Sequence, residues 1–213
     1  MKIRSTYELE DYIANEYAWR RKELTNIKNI ALASRKSNRN LLIKSAFLIL
    51  YAHWEGFIKN ISIAYCVYLN TKGYKYKDVK INFKVFCILN KFKNVFPHKR
   101  FSSYLQIVNT LSHDMDEKLF IDAEKYIDTE SNLKSDVLQD ITLKLGIDYS
   151  PYELKQNLID ESFVGVRNAI AHGEFRKIDK NDFLVLYNEI TDLIDLYKNH
   201  ILNSVYEKNF LDN

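Results

Sequence analysis

The feature that most constrains this chain is a run from Leu41 to Asn70 that is apolar on almost every side of a helix. A helix of this kind belongs in the centre of a bundle or across a dimer interface, because a surface helix needs a polar face. Thr71-Lys72-Gly73 ends the run, and Gly73 suits the left-handed position after a helix. The polar residues 35–40 are predicted to form a turn or a fresh helix start. The sequence therefore predicts one long central helix.

Residues that break helices are scarce in this chain. Its 213 residues include 5 glycines and 2 prolines, which predicts a few long helices. With 46% hydrophobic and 28% charged residues, the composition is that of an ordinary folded domain. The length suits a single domain over residues 1–213.

Apolar residues at helical spacing predict four further helices. Ser5 or Thr6 begins the first and Thr129 the second, whereas Gly146 ends the second. Ser150-Pro151 opens the third, with Ser150 as its cap, and Leu154 is expected on its apolar stripe. The predicted ranges are 7–34, 133–145, 150–172 and 179–206.

Residues 74–128 lack a sustained period and are predicted to be an insertion or a lid on the bundle. Short helices are expected at 83–92 and 101–111, separated by a break at Pro97. The stretch 120–127 is expected to be a short strand or irregular. The fold class is therefore an all-α, antiparallel helical bundle with a less regular insertion.

Charge and cysteine content exclude little. Lys and Arg number 31 against 28 Asp and Glu, and this net charge of +3 neither favours nor excludes a nucleic-acid binder. Cys66 and Cys87 lie in apolar runs and are expected to be buried, reduced and without a zinc site. The N-terminus does not resemble a signal peptide, and the longest apolar window, 46–52, is short for a membrane span. A cytoplasmic protein is expected.

The segment Val-Gly-Val-Arg-Asn-Ala-Ile-Ala-His-Gly-Glu-Phe carries residues suited to chemistry. Arg167 and His172 are five positions apart, so on an ideal helix their side chains point about 140° apart. Asn168 and His172, four positions apart, share a face. Gly173 ends the helix, and the unpaired carbonyls there favour a positively charged side chain.

These residue types suit RNA cleavage by attack of the ribose 2′-hydroxyl. Histidine serves as base or acid near neutral pH, and arginine clamps a phosphate through two hydrogen bonds. No metal or cofactor is expected, because the 2′-hydroxyl supplies the nucleophile. Since Arg167 and His172 diverge, a homodimer would be needed to bring Arg and His groups together around an RNA substrate.

The string Arg-Asn-Ala-Ile-Ala-His resembles the Arg-(four to six residues)-His signature of HEPN proteins. The resemblance extends to Leu-Tyr-Ala-His-Trp-Glu-Gly-Phe-Ile-Lys at 50–59, to 133–145 and to His172-Gly173-Glu174. Together these residues are similar to bacterial HEPN nucleases of the MAE type, which are akin to the RiboL-PSP-HEPN group. The likeness covers most of the chain except 74–128.

The resemblance implies a bundle that dimerises with its two motifs facing each other, and metal-independent endoribonuclease activity. It also implies a role in toxin–antitoxin or phage-defence systems, with a possible antitoxin protein as partner. We expect Arg167 to hold the scissile phosphate, His172 to transfer protons, and Asn168 to position the phosphate or His172. The alternative is a non-catalytic interaction module that binds RNA, an antitoxin or a defence partner.

Four further residues each have two interpretations. His53 and Glu55 lie in the apolar helix, where they form a satisfied polar network around Trp54 or support the site, for instance with Glu55 orienting His172 or Arg167. Arg176 and Lys177 follow the motif directly. One interpretation is that they contact RNA, and the other is that they belong to a solvated loop.

Overall fold

The computed structural model describes residues 2–92 and 101–212, and within these ranges the fold is all-α, as predicted. A 3-10 turn at Tyr76–Asp78 and a π-helix at Leu158–Gly165 accompany the α-helices. Pro97, the predicted break, lies outside the described residues. The α-helices are α1 (Thr6–Ala33), α2 (Lys36–Thr71), α3 (Ile81–Lys91), α4 (Phe101–His113), α5 (Ala123–Tyr126), α6 (Ser135–Lys144), α7 (Ser150–Glu153), α8 (Val166–Ala171) and α9 (Lys180–Tyr206).

The central helix is α2, which packs against α1, α8 and α9. It begins at Lys36 instead of 41. Of the residues 35–40 that were predicted to form a turn or a helix start, only Arg35 lies outside the helix, and it is the N-cap. Among the described residues α2 is also long and apolar enough to span a membrane by length and composition, yet half of its most apolar window is buried in the fold. Its apolar character is therefore that of a core helix, and it ends ahead of Gly73 as predicted.

The three long helices do not all alternate in direction. α1 runs antiparallel to α2, as the short loop between them requires. It starts with a capping box of Ser5 and Glu8, so Ser5 is the correct one of the two predicted start residues. α9 runs parallel to α2, because the Ser62 hydroxyl pairs with Tyr197 and the Tyr65 hydroxyl with Ser204. The long connection between α2 and α9 makes a parallel arrangement possible.

The insertion is tied into the core instead of lying over it as a lid. The Asn70 side chain of α2 donates to the Ile121 carbonyl and accepts from the Ile121 N–H, both at 2.8 Å. Leu119, Ile121 and Ile127 are buried in the main core. The short helices predicted here are α3 and α4, whereas the stretch predicted to be strand or irregular contains the single helical turn α5.

The start of α6 differs from the prediction. The N-cap is Lys134 instead of Thr129, which is buried five residues earlier. The Asp160 carboxylate of the π-helix accepts from the Ser135 backbone N–H at 2.7 Å and from the Ser135 hydroxyl at 2.6 Å. A side chain distant in sequence therefore caps this helix, and local spacing alone does not reveal such a cap.

The helix predicted over 150–172 is interrupted. α7 ends at Glu153, a π-helix follows at Leu158–Gly165, and only then does α8 begin. Ser150 is the first residue of α7, where its N–H donates to Asp148, and is not the predicted cap. The prediction for Leu154 is wrong, because the break leaves its side chain 95% exposed. The π-helix shifts the register of the residues after it, including those of α8.

α9 and the two cysteines agree with the sequence pattern. Asp179 caps α9 and accepts from the Asn181 N–H at 2.7 Å. Both cysteines are buried and free, and burial raises the pKa of the Cys66 thiol to about 12. The predicted stripe of α9 is buried throughout and comprises Phe183, Leu186, Ile190, Leu193, Ile194, Tyr197, Ile201 and Val205.

Candidate active site

Arg167 lies near the start of α8, directly after the π-helix, and is half-buried. Its guanidinium carbon is 3.8 Å from the centroid of the Tyr51 ring on α2. A guanidinium at this distance over an aromatic face is attracted by the ring and is held parallel or tilted to it. The central helix therefore provides a platform for the first residue of the motif.

Two hydrogen bonds fix the guanidinium on this platform. Nη1 of Arg167 donates to Oδ1 of Asn168 at 2.7 Å, and Nη2 donates to the Ser131 carbonyl at 3.0 Å. Glu55 contributes a longer ion pair, with 3.9 Å between Nη2 and Oε2. An arginine has five N–H donors, so these two bonds leave donors for a phosphate.

The loop before α6 reaches Arg167 in a strained conformation. Glu130 and Ser131 have φ of 55° and 53°, which non-glycine residues seldom adopt. The next residue, Asn132, accepts from Nδ2 of Asn168 at 3.0 Å through its Oδ1. The loop thus holds both Arg167 and Asn168, and backbone strain of this kind is concentrated at functional sites.

Tyr51 is buried and keeps its proton. Its hydroxyl accepts from the Leu133 N–H at 2.7 Å. Burial raises the pKa of Tyr51 to about 12, so the phenol is neutral at physiological pH. The ring therefore supports Arg167 without neutralising its charge, and the charge remains available to an anionic ligand.

Glu55 and His53 lie on different faces of α2. Glu55 follows Tyr51 by four residues and shares its face, which places its carboxylate near Arg167; its supporting role stays a prediction. His53 is two residues from Tyr51 and faces α1, where Nδ1 is 3.3 Å from Nη1 of Arg20 and Nε2 is 3.0 Å from Oε2 of Glu23. His53 thus belongs to a polar network between α1 and α2, and this network is built on Arg20 and Glu23 instead of Trp54, around which the sequence predicted it.

The α1–α2 network is charged, with Arg20 and His53 buried and Glu23 at its exposed edge. The Arg20 side chain is 7% exposed and donates to Glu16 at 2.8 Å, while the Trp19 ring meets His53 edge-on. Burial lowers the pKa of the His53 imidazole, and the Glu23 carboxylate acts in the opposite direction. Neutral His53 accepts from Arg20 and donates to Glu23, so this network stabilises helix packing.

His172 is exposed at the C-cap of α8. Gly173 has a φ of 77°, its N–H donates to the Ile170 carbonyl, and the Glu174 N–H donates to the Ala169 carbonyl. This pair of bonds is a Schellman motif, which ends the helix at a defined residue. The imidazole is therefore held at the helix end and faces solvent, five positions from Arg167.

Asn168 serves Arg167 and not the His172 side chain. Its amide bonds Arg167 and Asn132, and its carbonyl accepts the His172 backbone N–H at 2.9 Å. Asn168 was predicted to position the phosphate or His172, and neither of these roles includes the contact with Arg167. The geometry assigns its side chain to orienting the guanidinium.

Arg176 and Lys177 are exposed in the loop after the motif and line a cavity of about 440 Å³. Phe175 in the same loop is 91% exposed, and the Lys44 ammonium lies 5.6 Å from its ring centroid. In the described ranges no cluster of three or more His, Cys, Asp or Glu residues has the geometry of a metal site. The motif end of the bundle is thus lined by cations and exposed aromatic surface.

Sequence reasoning missed Tyr51, Ser131 and Asn132. Tyr51 resembles any other core aromatic of α2, and the loop 129–134 carries no motif. The one available signal was the spacing of Tyr51 and Glu55, which places an aromatic and a carboxylate on one face of a buried helix.

One of three comparisons with known proteins gives a match. The RiboL-PSP-HEPN family model matches residues 15–203. A search of curated proteins and a search of solved structures give no match. The HEPN resemblance is confirmed, and it indicates a nuclease or another RNA-related function; the closer likeness to MAE-type proteins stays a prediction. The match spans all of α2, most of α1 and α9, and the Arg167–His172 segment, and the chain belongs to the RiboL-PSP-HEPN family.

Proposed function

We propose that this protein is a metal-independent endoribonuclease that acts as a homodimer. The observation that carries the proposal is the support of Arg167, whose guanidinium is fixed by Tyr51, Asn168 and Ser131 and still has donors for a ligand. Family membership supplies the RNA-related context. A preorganised cation of this kind stabilises charge that develops on a phosphate.

The reaction is attack of the ribose 2′-hydroxyl on the adjacent phosphorus, with departure of the 5′-oxygen. Arg167 donates to the phosphoryl oxygens as negative charge builds on them. His172 takes the proton of the 2′-hydroxyl or returns one to the leaving oxygen, and its exposure gives RNA access to the ring.

The divergence of the two side chains requires a second copy. Arg167 lies on α8 and His172 is the C-cap of the same helix, and ideal helical geometry turns side chains at this spacing about 140° from each other. Two copies related by a two-fold axis would place Arg and His groups from both chains around one phosphate.

Exposed apolar surface near the motif fits such a dimer. Phe175 is 91% exposed, and Leu41 is 68% exposed one turn before Lys44, whose ammonium lies 5.6 Å from the Phe175 ring centroid. Apolar side chains grouped at one end of a bundle are typical of a surface that another chain covers.

Biologically, we propose a toxin or phage-defence effector that cleaves RNA in the cytoplasm and is held in check by an antitoxin protein. Free activity of a ribonuclease of this kind would arrest growth. Induced expression of the wild-type chain should therefore stop growth and degrade RNA, whereas His172→Ala should do neither.

The direct test is cleavage of RNA by purified protein in EDTA. We expect His172→Ala to lower the rate by a factor of about 10² to 10⁴, the usual contribution of a general acid or base. His113→Ala is the matched control, because His113 is exposed on α4 outside the motif. Cleavage that persists in His172→Ala, or that needs a divalent metal, contradicts the mechanism.

A second candidate is a non-catalytic interaction module. The contacts of Arg167 within its own chain favour this candidate. An arginine that is bound by Glu55, Ser131 and Asn168 can also have a purely structural role. Absence of ribonuclease activity in a folded dimer, together with a stable partner complex, would support this alternative.

A further inference from the structure

A cavity of about 440 Å³ lies beside the Arg167 platform, and neither the family match nor the motif assigns it a role. Its volume falls within the range of about 300–1,000 Å³ that is typical of small-molecule sites. It is formed by α2, the π-helix, α8, the loop after the motif and the start of α9. Its lining includes Phe47, Val166, Arg176, Lys177, Asp182 and Val185.

One aromatic ring separates this cavity from the Arg167 platform. Phe47 of the cavity wall lies 5.6 Å from Phe163, measured between ring centroids, and Phe163 lies 5.6 Å from Tyr51. Val166, which also lines the cavity, directly precedes Arg167. Because Val166 and Arg167 are neighbours along the chain, with Cα atoms about 3.8 Å apart, a nucleotide chain with one phosphate on Arg167 has a neighbouring base within reach of the cavity.

The lining matches the chemistry of a nucleobase. Phe47, Val166 and Val185 give apolar walls for the faces of a base. The exposed side chains of Arg176 and Lys177 are placed to meet the adjoining phosphate, and a guanidinium also stacks on bases. Asp182, in the first turn of α9, adds a carboxylate that only accepts hydrogen bonds.

The carboxylate discriminates among bases. Guanine presents two adjacent donors on its Watson–Crick edge, the N1–H and the 2-amino group, and a carboxylate accepts both in parallel. The other bases offer a single donor group on that edge, so they form fewer bonds with Asp182. From the position of Asp182 we infer that this cavity binds a nucleobase next to the scissile phosphate and prefers guanine; the inference rests on the proposed function.

The test uses the full chain and the four nucleoside 3′-monophosphates, with binding followed by NMR titration. We expect guanosine 3′-monophosphate to bind most tightly. Val185→Trp should fill the cavity mouth and weaken this binding about tenfold or more. Val85→Trp on α3 is the matched control, since it changes the same residue type at an exposed position outside the cavity. Asp182→Asn should abolish the guanine preference, and Asp192→Asn on α9 should keep it.

Equal binding of all four nucleotides, or unchanged binding in Val185→Trp, overturns the inference. A change of oligomeric mass in Val185→Trp without a change in nucleotide binding also overturns it and assigns the groove to an interface between copies. The failure of this inference can be distinguished from the failure of the proposed ribonuclease function. His172→Ala should still bind guanosine 3′-monophosphate, whereas RNA cleavage without any base preference would leave the ribonuclease standing and reject the cavity.

Discussion

The Arg167 guanidinium lies 3.8 Å above the ring of Tyr51, whose hydroxyl accepts the Leu133 N–H. This contact joins the central helix to the motif and to the loop before α6. Any change of the Tyr51 side chain therefore acts on both the site and the fold, and the ring and the hydroxyl can be separated by substitution.

Tyr51→Phe and Tyr51→Leu make that separation. Loss of the hydroxyl leaves the buried Leu133 N–H without its acceptor, which costs about 1–3 kcal/mol of unfolding free energy in both variants. Only Tyr51→Leu also removes the aromatic face, so its cleavage rate should fall about tenfold below that of Tyr51→Phe. Urea unfolding and RNA cleavage measure the two effects, and equal rates in the two variants would reject the platform role.

Gly173 and Gly73 form a matched pair for the helix end at His172. Their φ values are 77° and 72°, and a Cβ added at either position meets no atom within 4 Å. Gly→Ala should therefore cost about 1–2 kcal/mol of stability at both positions, through the left-handed backbone alone. Only Gly173→Ala should also lower RNA cleavage, because it shifts the C-cap that holds His172. Equal activity of the two variants would argue against that positioning.

Two substitutions in the strained loop before α6 test separately how its backbone and its side chains support the site. Ser131→Gly relieves the left-handed strain and keeps the carbonyl that binds Arg167, so stability should stay equal or rise by up to about 1 kcal/mol, with cleavage retained. Asn132→Ala removes the acceptor of Asn168 and should lower cleavage. Thermal unfolding and cleavage assays distinguish the two, and a loss of activity in Ser131→Gly would mean that the strain itself is needed.

The α1–α2 network predicts a loss of stability in acid. Burial lowers the pKa of His53, so the unfolded chain, with a histidine pKa of about 6.5, binds the proton first. The contribution of His53 is therefore complete above that pH and declines as pH falls through and below it. Burial also lowers the pKa of His200, which acts with the same sign.

His53→Gln tests this pH dependence. Its unfolding free energy should fall less than that of wild type between about pH 7.5 and about pH 5.5. His113→Gln is the control, because it makes the same substitution at an exposed position outside the network. A wild-type slope in His53→Gln would mean that His53 does not titrate as its burial requires.

Much of the fold follows from local pattern. The apolar period of α1, α2 and α9, the capping box at Ser5, and the glycine ends at Gly73 and Gly173 all depend on residues within one or two turns of each other. The Arg167–His172 segment, its helical setting and the divergence of its two side chains are local as well. Such features can be predicted from the sequence, because helix propensity and helix capping depend on residues that are close together in the chain.

What only the tertiary structure decided are the contacts between elements distant in sequence. Asp160 caps α6, the π-helix sets the rotation of α8, and Tyr51, Ser131 and Asn132 meet at Arg167. Neither the apolar period of a helix nor its capping residues predict these contacts, because the contacts depend on how the helices pack around α2. The sequence alone therefore identified the residues that are proposed to carry the chemistry. Packing determined that Arg167 is fixed against Tyr51 and Ser131, whereas His172 is left exposed to solvent.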